Sequence, residues 1–146
     1  MPTVKGCNIP DHLLYDVENH IWFQEQGDGT VKLGMTTVAT AMAGQLVAFT
    51  PKKAGRSVDA GKSCATVESG KWVGPAKSAA AGDVVEVNKD LVADPTLANS
   101  DPYDKGWFII LKPTDWDAVK PTLTPGAQVT AKYEAKMAAD GFAGCA

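Results

Sequence analysis

Alternating hydrophobic and polar positions predict a chain built mainly of short β-strands. Residues 20–26 are rich in aromatic and branched side chains, and residues 30–35 alternate between apolar and polar positions. The turn residues Gly27-Asp28-Gly29 lie between these segments, so together they predict a β-hairpin. Each of the other predicted strands is bounded by Gly, Pro or Asn, and these strands lie at residues 45–50, 63–68, 83–88 and 107–112.

Two helices interrupt this pattern, and the first 19 residues predict a lead-in segment with one strand. Residues 36–43 are rich in alanine and threonine and precede Gly44, which predicts a short helix with a threonine N-cap and a glycine C-cap. Thr124-Pro125 predicts the N-cap and first residue of a C-terminal helix. The apolar stripe of that amphipathic helix consists of Val129, Tyr133 and Met137.

The segments 44–50 and 82–88 resemble each other. Both begin with Gly and a polar residue, followed by Leu or Val, then Val, with another apolar residue two positions on. Two similar halves packed as a sandwich explain this echo, and so do two ordinary strands that follow glycine turns. The residues predicted to form the core are Trp22, Val47, Phe49, Val67, Val85, Val87, Trp107 and Ile109.

Composition narrows the class of protein. The chain has 146 residues, a net charge of −3, 45% hydrophobic residues and 21% charged residues. These values predict a single domain over residues 1–146, without a cleft between two lobes and without the basic surface that nucleic acid requires. No segment approaches the roughly 20 apolar residues of a membrane span, and residues 1–12 lack the apolar region of a secretory signal.

The three cysteines, Cys7, Cys64 and Cys145, are an odd number at wide spacing. This count argues against a disulfide framework and favours a reducing compartment, so we predict a cytoplasmic protein. Cys64 lies in a predicted strand and is expected to be a small buried apolar residue. We also expect a monomer.

Catalytic motifs are missing from the sequence, which contains no HExxH, CxxC or G-x-S-x-G pattern. The feature that remains is the segment 67–73, where an apolar strand runs into Ser-Gly-Lys and then resumes. Gly61 and Gly82 bracket this segment, so Lys71 is predicted at the tip of a β-hairpin. On spacing alone, an ordinary exposed lysine in a turn is the favoured interpretation.

Four ordered motifs resemble the glycine cleavage system H proteins and their relatives over about residues 12–140. They are His20-Ile21-Trp22, Val67-Glu68-Ser69-Gly70-Lys71, Gly82-Asp83-Val84-Val85-Glu86-Val87-Asn88, and Asp101-Pro102-Tyr103 with Gly106-Trp107, Ile109 and Lys112-Pro113. The resemblance implies a mainly β barrel-sandwich hybrid of two small sheets, with short helices and a C-terminal amphipathic helix.

The resemblance also implies that Lys71 carries lipoic acid in amide linkage and that the chain is a carrier rather than an enzyme. Glu68, Ser69, Gly70 and Trp72 form the surroundings of this lysine in the hairpin. The implied partners are a lipoate ligase or lipoyl transfer enzyme, and the enzymes between which the lipoyl arm moves. An unmodified binding domain of the same fold is a further alternative.

The sequence departs from the family pattern near the expected position of the arm. Asn19 and Ile21 occupy positions where the family has Ser and Glu, Pro75 replaces an aspartate, and Lys77 replaces a residue that is often uncharged. A neutral or anionic cargo suits these surroundings better than a cationic aminomethyl group. The departures resemble lipoate-binding relatives that work in cytoplasmic sulfur oxidation with a heterodisulfide-reductase-like complex. A true glycine cleavage H protein is the alternative.

Overall fold

The computed structural model describes residues 3–145, and antiparallel β-strands dominate it. The strands are β1 (Thr3–Val4), β2 (Cys7–Asn8), β3 (Leu14–Asp16), β4 (Ile21–Glu25), β5 (Val31–Met35), β6 (Leu46–Pro51), β7 (Ser57–Val58), β8 (Lys62–Ser69), β9 (Val73–Ser78), β10 (Gly82–Val87), β11 (Ile109–Pro113) and β12 (Thr124–Pro125). The helices are α1 (Thr37–Ala43), α2 (Lys89–Ala93), α3 (Leu97–Ser100), α4 (Trp116–Val119) and α5 (Thr130–Ala139). Residues 1, 2 and 146 of the predicted domain lie outside the described residues.

Two sheets pack face to face around the larger of two hydrophobic clusters. A seven-stranded sheet has the order β12-β3-β4-β5-β11-β10-β7, and a three-stranded sheet has the order β6-β8-β9. Phe49 of β6 meets Phe108, which precedes β11, with 4.7 Å between the ring centroids. This contact joins the two sheets through their buried faces. The predicted class, a mainly β sandwich with short helices and a C-terminal helix, is confirmed.

The first predicted hairpin and the first predicted helix are both confirmed. β4 pairs with β5 from Ile21 opposite Met35 to Glu25 opposite Val31. The side chain of Thr36 caps α1 by accepting a hydrogen bond from the Ala39 backbone N–H. Gly44 ends this helix with a φ of 84°, a left-handed conformation that glycine adopts without steric cost.

The stripe of the C-terminal helix is confirmed, but its predicted start is wrong. Val129, Tyr133 and Met137 are fully buried in the second hydrophobic cluster. Thr124–Pro125 forms a short strand that pairs with β3 instead of beginning the helix. The Gly126 N–H then donates to the Leu13 carbonyl at 2.9 Å, so pairing with a distant strand outweighs the local capping signal, and α5 begins at Thr130.

Two of the predicted core residues, Val47 and Val85, lie on the surface. Their side chains are 59% and 51% exposed. A β-bulge falls at each position, between Leu46 and Ala48 in β6 and between Val84 and Glu86 in β10. The extra residue of a bulge breaks the period-2 alternation, which the sequence pattern assumed.

The similar segments 44–50 and 82–88 also share a structural feature, a β-bulge. β6 lies in the three-stranded sheet and β10 in the seven-stranded sheet, with a bulge at the equivalent valine of each. Among the other predicted core residues, Val87 and Trp107 are half-buried. The remaining four are buried: Trp22, Phe49, Val67 and Ile109.

The argument from the cysteine count against disulfide bonding is wrong. Cys7 of β2 forms a disulfide with Cys145, although 138 positions separate them in the sequence. The odd count could not reveal this pair, because it depends on the two chain ends meeting in the fold. Cys64 is free and buried as predicted, and burial raises the pKa of its thiol to about 12. The cysteine argument for a reducing compartment therefore no longer holds, and cytoplasmic location stays a prediction.

Within residues 3–145, no helix combines the length and the apolar character that crossing a membrane requires.

Reduction of the Cys7–Cys145 disulfide is expected to lower the free energy of unfolding by about 2–4 kcal/mol. The crosslink spans 138 positions, and a loop of this length restricts the unfolded chain strongly. Urea unfolding with and without reductant measures the difference. In the control variant Cys145→Ser the reductant should change nothing. Identical unfolding curves for the oxidised and reduced wild type would contradict the prediction.

Candidate functional site

Lys71 lies in the tight turn that joins β8 to β9. The Ser69 N–H donates to the Trp72 carbonyl at 2.7 Å, so Gly70 and Lys71 are the two central residues of this turn. The buried Ser69 hydroxyl accepts a hydrogen bond from the Lys71 N–H at 3.3 Å. The turn is therefore fixed by its backbone and by Ser69, while the Lys71 side chain remains exposed.

The strands behind the turn are anchored in the core of the sandwich. Cys64 and Val67 of β8 and Ala76 of β9 face inward and are buried. The Trp72 indole lies over Gly74, where the Cβ of any other residue would overlap the ring. These contacts hold the turn at a fixed position at the edge of the three-stranded sheet.

The Lys71 side chain passes the C-terminal end of α1. A Cβ placed on Gly44 would lie 3.3 Å from Lys71 Cε and 4.0 Å from Nζ. Glycine at this position therefore serves two purposes, since it allows the positive φ and leaves space for the lysine methylenes. Within residues 3–145, the Lys71 ammonium has no hydrogen bond or ion pair.

A groove of about 420 Å³ opens beside Lys71. Its walls come from the start of β4, the end of β5, helix α1 and the turn that carries Lys71. The residues that line it are Asn19, His20, Ile21, Met35, Ala39, Met42, Ala43, Lys71, Trp72, Pro75 and Ala76. Most of these side chains are apolar, so the groove suits a hydrocarbon chain better than a strongly hydrated group.

No carboxylate is among the residues that line this groove. Two carboxylates contact wall residues without lining it. The Asn19 side-chain amide donates to Asp16 Oδ2 at 2.8 Å, and His20 Nε2 lies 3.6 Å from Asp140 Oδ2. Among residues 3–145, no carboxylate therefore faces the interior of the groove.

His20 is the buried ionisable residue of the groove wall. It adopts a left-handed backbone conformation (φ 57°) and stacks on Tyr133 with 5.8 Å between the ring centroids. Its Nδ1 atom is buried without a hydrogen-bond partner among the described residues. Burial lowers the pKa of the imidazole, and nearby Lys136 lowers it further, against the opposing effect of Asp140.

The structure brings together most of the residues that the sequence singled out. Asn19, Ile21, Trp72 and Pro75 meet Lys71 in the groove. The other lining residues were not predicted from the sequence, although the apolar positions of the predicted helix 36–43 were a usable signal for Ala39, Met42 and Ala43.

Four of the predicted residues lie outside the groove lining. Ser69 and Gly70 belong to the turn described above, and Lys77 and Glu68 lie on the strands beside it. Lys77 is exposed on β9, beyond Pro75. Glu68 is exposed on β8, where it pairs with Val73 of β9 and with Ala48 of β6.

The two packed sheets and the projecting β-turn define the class of lipoyl-type barrel-sandwich domains. In that class a short antiparallel hairpin presents the lysine that bears the cofactor. The model of the family "Glycine cleavage H-protein" matches residues 13–136. The chain therefore belongs to the glycine cleavage H-protein family, whose members are carriers with lipoate covalently attached to a lysine.

Individual members of the family are similar to this chain in sequence and in structure. The chain is 48% identical over 127 residues to "Glycine cleavage system H protein 5" of Aquifex aeolicus, covering 84% of this chain and 85% of the relative. It is 39% identical over 132 residues to "Probable glycine cleavage system H protein 2" of Sulfurisphaera tokodaii, covering 89% of each. The crystal structure of a glycine cleavage system H protein from Mycobacterium marinum aligns with a TM-score of 0.74 at 32% identity, covering 92% of this chain and all of that one.

His20 is expected to make the protein less stable as the pH falls below about 6.5, the ordinary pKa of histidine. The pKa of His20 is lowered in the folded state. Between that lowered pKa and 6.5 the unfolded chain therefore binds more protons than the folded chain, so the free energy of unfolding decreases as the pH decreases. Chemical unfolding between pH 7.5 and 5.5 measures this dependence.

The variant His20→Asn should flatten that dependence, because asparagine does not titrate and tolerates a positive φ. His12→Gln is the matched control, since His12 is exposed, and it should retain the wild-type slope. The prediction fails if His20→Asn leaves the slope unchanged.

Proposed function

We propose that the protein carries lipoate in amide linkage on Lys71 and moves a bound intermediate between partner enzymes. The observation that carries this proposal is the exposed Lys71 side chain in a turn that Ser69 fixes, beside an apolar groove. Family membership supports the cofactor, and the hairpin position supports the choice of lysine.

The attachment places little chemical demand on the carrier itself. A lysine amine attacks an acyl group only when it is deprotonated, and its ordinary pKa is about 10.4. A lipoate ligase or lipoyl transfer enzyme must therefore supply the base, while this chain supplies an accessible amine. Acylation removes the positive charge of Lys71, so the net charge changes from −3 to −4.

A tethered cofactor acts by raising effective concentration. The lipoyl group reaches successive active sites without dissociating, so transfer between enzymes needs no free intermediate. The anchored strands β8 and β9 keep the attachment point fixed while the arm moves.

The names of the relatives favour glycine cleavage enzymes as the partners and an aminomethyl group as the cargo. The proteins compared above from Aquifex aeolicus, Sulfurisphaera tokodaii and Mycobacterium marinum all carry the glycine cleavage name. Other relatives from Aquifex aeolicus are numbered 2 and 3, so several members of the family occur in one organism.

One structural observation favours a second candidate function, the transport of a sulfur-containing intermediate in cytoplasmic sulfur oxidation. The groove beside Lys71 is lined by no carboxylate, and Ile21 and Pro75 stand where the family pattern has acidic residues. One carboxylate–ammonium pair at 4 Å is worth about 4 kcal/mol of attraction before desolvation at an effective dielectric constant of about 20. A neutral or anionic cargo has no such attraction to a carboxylate, so it is not weakened when the groove has none. Its partner would be a heterodisulfide-reductase-like complex.

Lys71 is expected to be the residue that is lipoylated. Incubation with lipoate, ATP and a lipoate–protein ligase should add one lipoyl group, which intact mass measures. Lys71→Arg should abolish the modification while keeping the charge, because arginine is not acylated. Lys77→Arg is the matched control on the same hairpin and should be modified like the wild type.

A lipoyl group on the Lys71→Arg variant would show that the site is wrong. A wild type that stays unmodified would favour the remaining alternative, an unmodified binding domain of this fold.

A negative charge in the groove is expected to improve the handling of an aminomethyl cargo. The lipoylated Pro75→Asp variant should support glycine decarboxylation by the other glycine cleavage enzymes about tenfold faster than the lipoylated wild type. Tenfold corresponds to about 1.4 kcal/mol, well below the roughly 4 kcal/mol of attraction before desolvation. Pro75 is exposed, so this change spares the core, and Pro75→Asn is the uncharged control.

A wild type that turns over efficiently, with no gain from Pro75→Asp, would contradict the charge argument. Glycine cleavage would then be the function.

A further inference from the structure

The Cys7–Cys145 disulfide is a redox-active group that has no role in the proposed function. The family model matches residues 13–136, so both cysteines lie outside the part of the chain that it describes. Cys7 is fully buried, whereas Cys145 is half-buried. A thiol that approaches this bond from solvent therefore meets Cys145 first.

Helix α1 connects the disulfide to Lys71. At the N-terminal end of the helix, Cys145 Sγ lies 3.9 Å from the carbonyl oxygen of Thr37. At the C-terminal end, a Cβ placed on Gly44 would lie 3.3 Å from Lys71 Cε. The seven residues of α1 rise by about 10 Å. The disulfide and the Lys71 side chain therefore lie at opposite ends of one short helix.

One face of α1 leads from Lys71 to the disulfide. Thr37, Ala41 and Gly44 follow each other at positions i, i+4 and i+7, a spacing that places residues on the same side of a helix. Ala41 is exposed, and Thr37 and Gly44 are half-buried. Between its two ends this face presents the methyl group of Ala41. A chain attached to Lys71 can therefore cross α1 to Cys145 without displacing a large side chain of the helix.

Lipoate attached to Lys71 is long enough to make this crossing. About eight covalent bonds of about 1.5 Å separate Lys71 Cε from the nearer lipoyl sulfur, and an extended chain of them reaches roughly 10 Å. This reach equals the rise of α1. A short flexible tether gives an effective concentration in the millimolar range, so the arm meets Cys145 of its own chain far more often than that of another molecule.

We propose that the Cys7–Cys145 disulfide is an internal electron acceptor for the reduced lipoyl arm on Lys71. This inference rests on the proposed function, in which Lys71 bears lipoate. One protein molecule then stores an electron pair on the two cysteines in addition to the pair on the arm. A carrier that leaves a partner with a dithiol arm regains the disulfide form of the arm without a second enzyme.

The step is a thiol–disulfide exchange, which balances without a further co-reactant. Cys145 Sγ forms a bond to a thiolate of the arm, the Cys7–Cys145 bond breaks, and Cys7 takes up the proton that the attacking thiol lost. The second thiol of the arm then attacks the arm sulfur bound to Cys145, which closes the cyclic disulfide of lipoate and releases Cys145 as a thiol. The arm loses the electron pair and the protons that the cysteines gain.

The released cysteines stay close enough to pair again. The Cys145 N–H donates to the Lys5 carbonyl at 3.0 Å, beside the turn that leads to Cys7. This backbone hydrogen bond does not depend on the disulfide. The exchange is therefore expected to be reversible.

Anaerobic titration with NADH and a catalytic amount of dihydrolipoyl dehydrogenase tests the inference. The lipoylated wild type should consume about two equivalents of NADH per chain, about one for the arm and about one for the disulfide. Lipoylated Cys145→Ser should consume about one equivalent, and Lys71→Arg, which keeps the disulfide but has no arm, should consume almost none. Alkylation with N-ethylmaleimide followed by peptide mapping should find Cys7 and Cys145 modified in the reduced wild type but not in Lys71→Arg.

The crossing of α1 is tested by the lipoylated variant Ala41→Trp. An indole on the exposed face of the helix should slow opening of the disulfide about tenfold, because it displaces the arm from Cys145. Ala93→Trp is the matched control, since Ala93 is an exposed alanine of α2, and it should retain the wild-type rate. The wild-type rate should not change with protein concentration, as expected for a reaction within one molecule.

The outcomes separate failure of this inference from failure of the proposed function. A lipoylated wild type whose arm is reduced while Cys7 and Cys145 stay unalkylated would overturn the internal exchange alone. Opening of the disulfide in Lys71→Arg at the wild-type rate, or a wild-type rate proportional to protein concentration, would overturn it too. A wild type that gains no lipoyl mass with the ligase would overturn the proposed function, and the exchange with it.

Discussion

Burial of the inward side chains of β8 and β9 against the seven-stranded sheet is the constraint on which the site depends. Val67 and Ala76 face a core in which Phe49 and Phe108 meet across the two sheets. Because the inward side chains of both hairpin strands are packed in the core, a turn of two residues is enough to project Lys71. Packing in the core therefore fixes the position of the turn, while the Lys71 side chain stays exposed.

Attachment point and groove are coupled through α1. The helix ends at Gly44, where the absence of a side chain leaves room for Lys71, and its Ala39, Met42 and Ala43 form one wall of the groove. At the opposite wall, His20 connects the groove to α5 through its stacking on Tyr133. The groove thus depends on both hydrophobic clusters, and the Cys7–Cys145 disulfide fastens the two chain ends beside the second cluster.

Local signals in the sequence predicted the local features of the fold. The hairpin of β4 and β5, the caps of α1 and the stripe of α5 follow from turn residues, capping residues and helical spacing. Features that depend on contacts between residues far apart in the sequence were predicted wrongly or were not predicted. Pairing of Thr124 with Tyr15 replaced a capping signal, and register shifts turned Val47 and Val85 outward. The disulfide required the chain ends to meet. The apolar positions of α1 were visible in the sequence, but that this helix packs beside the Lys71 turn depends on the tertiary fold.

Peptide mapping of the protein purified from its own host shows whether Lys71 carries lipoate. We expect a lipoyl group, in amide linkage, on the peptide that contains Lys71, with the other lysines unmodified. A native protein whose Lys71 is unmodified, or whose lipoyl group lies on another lysine, would contradict it.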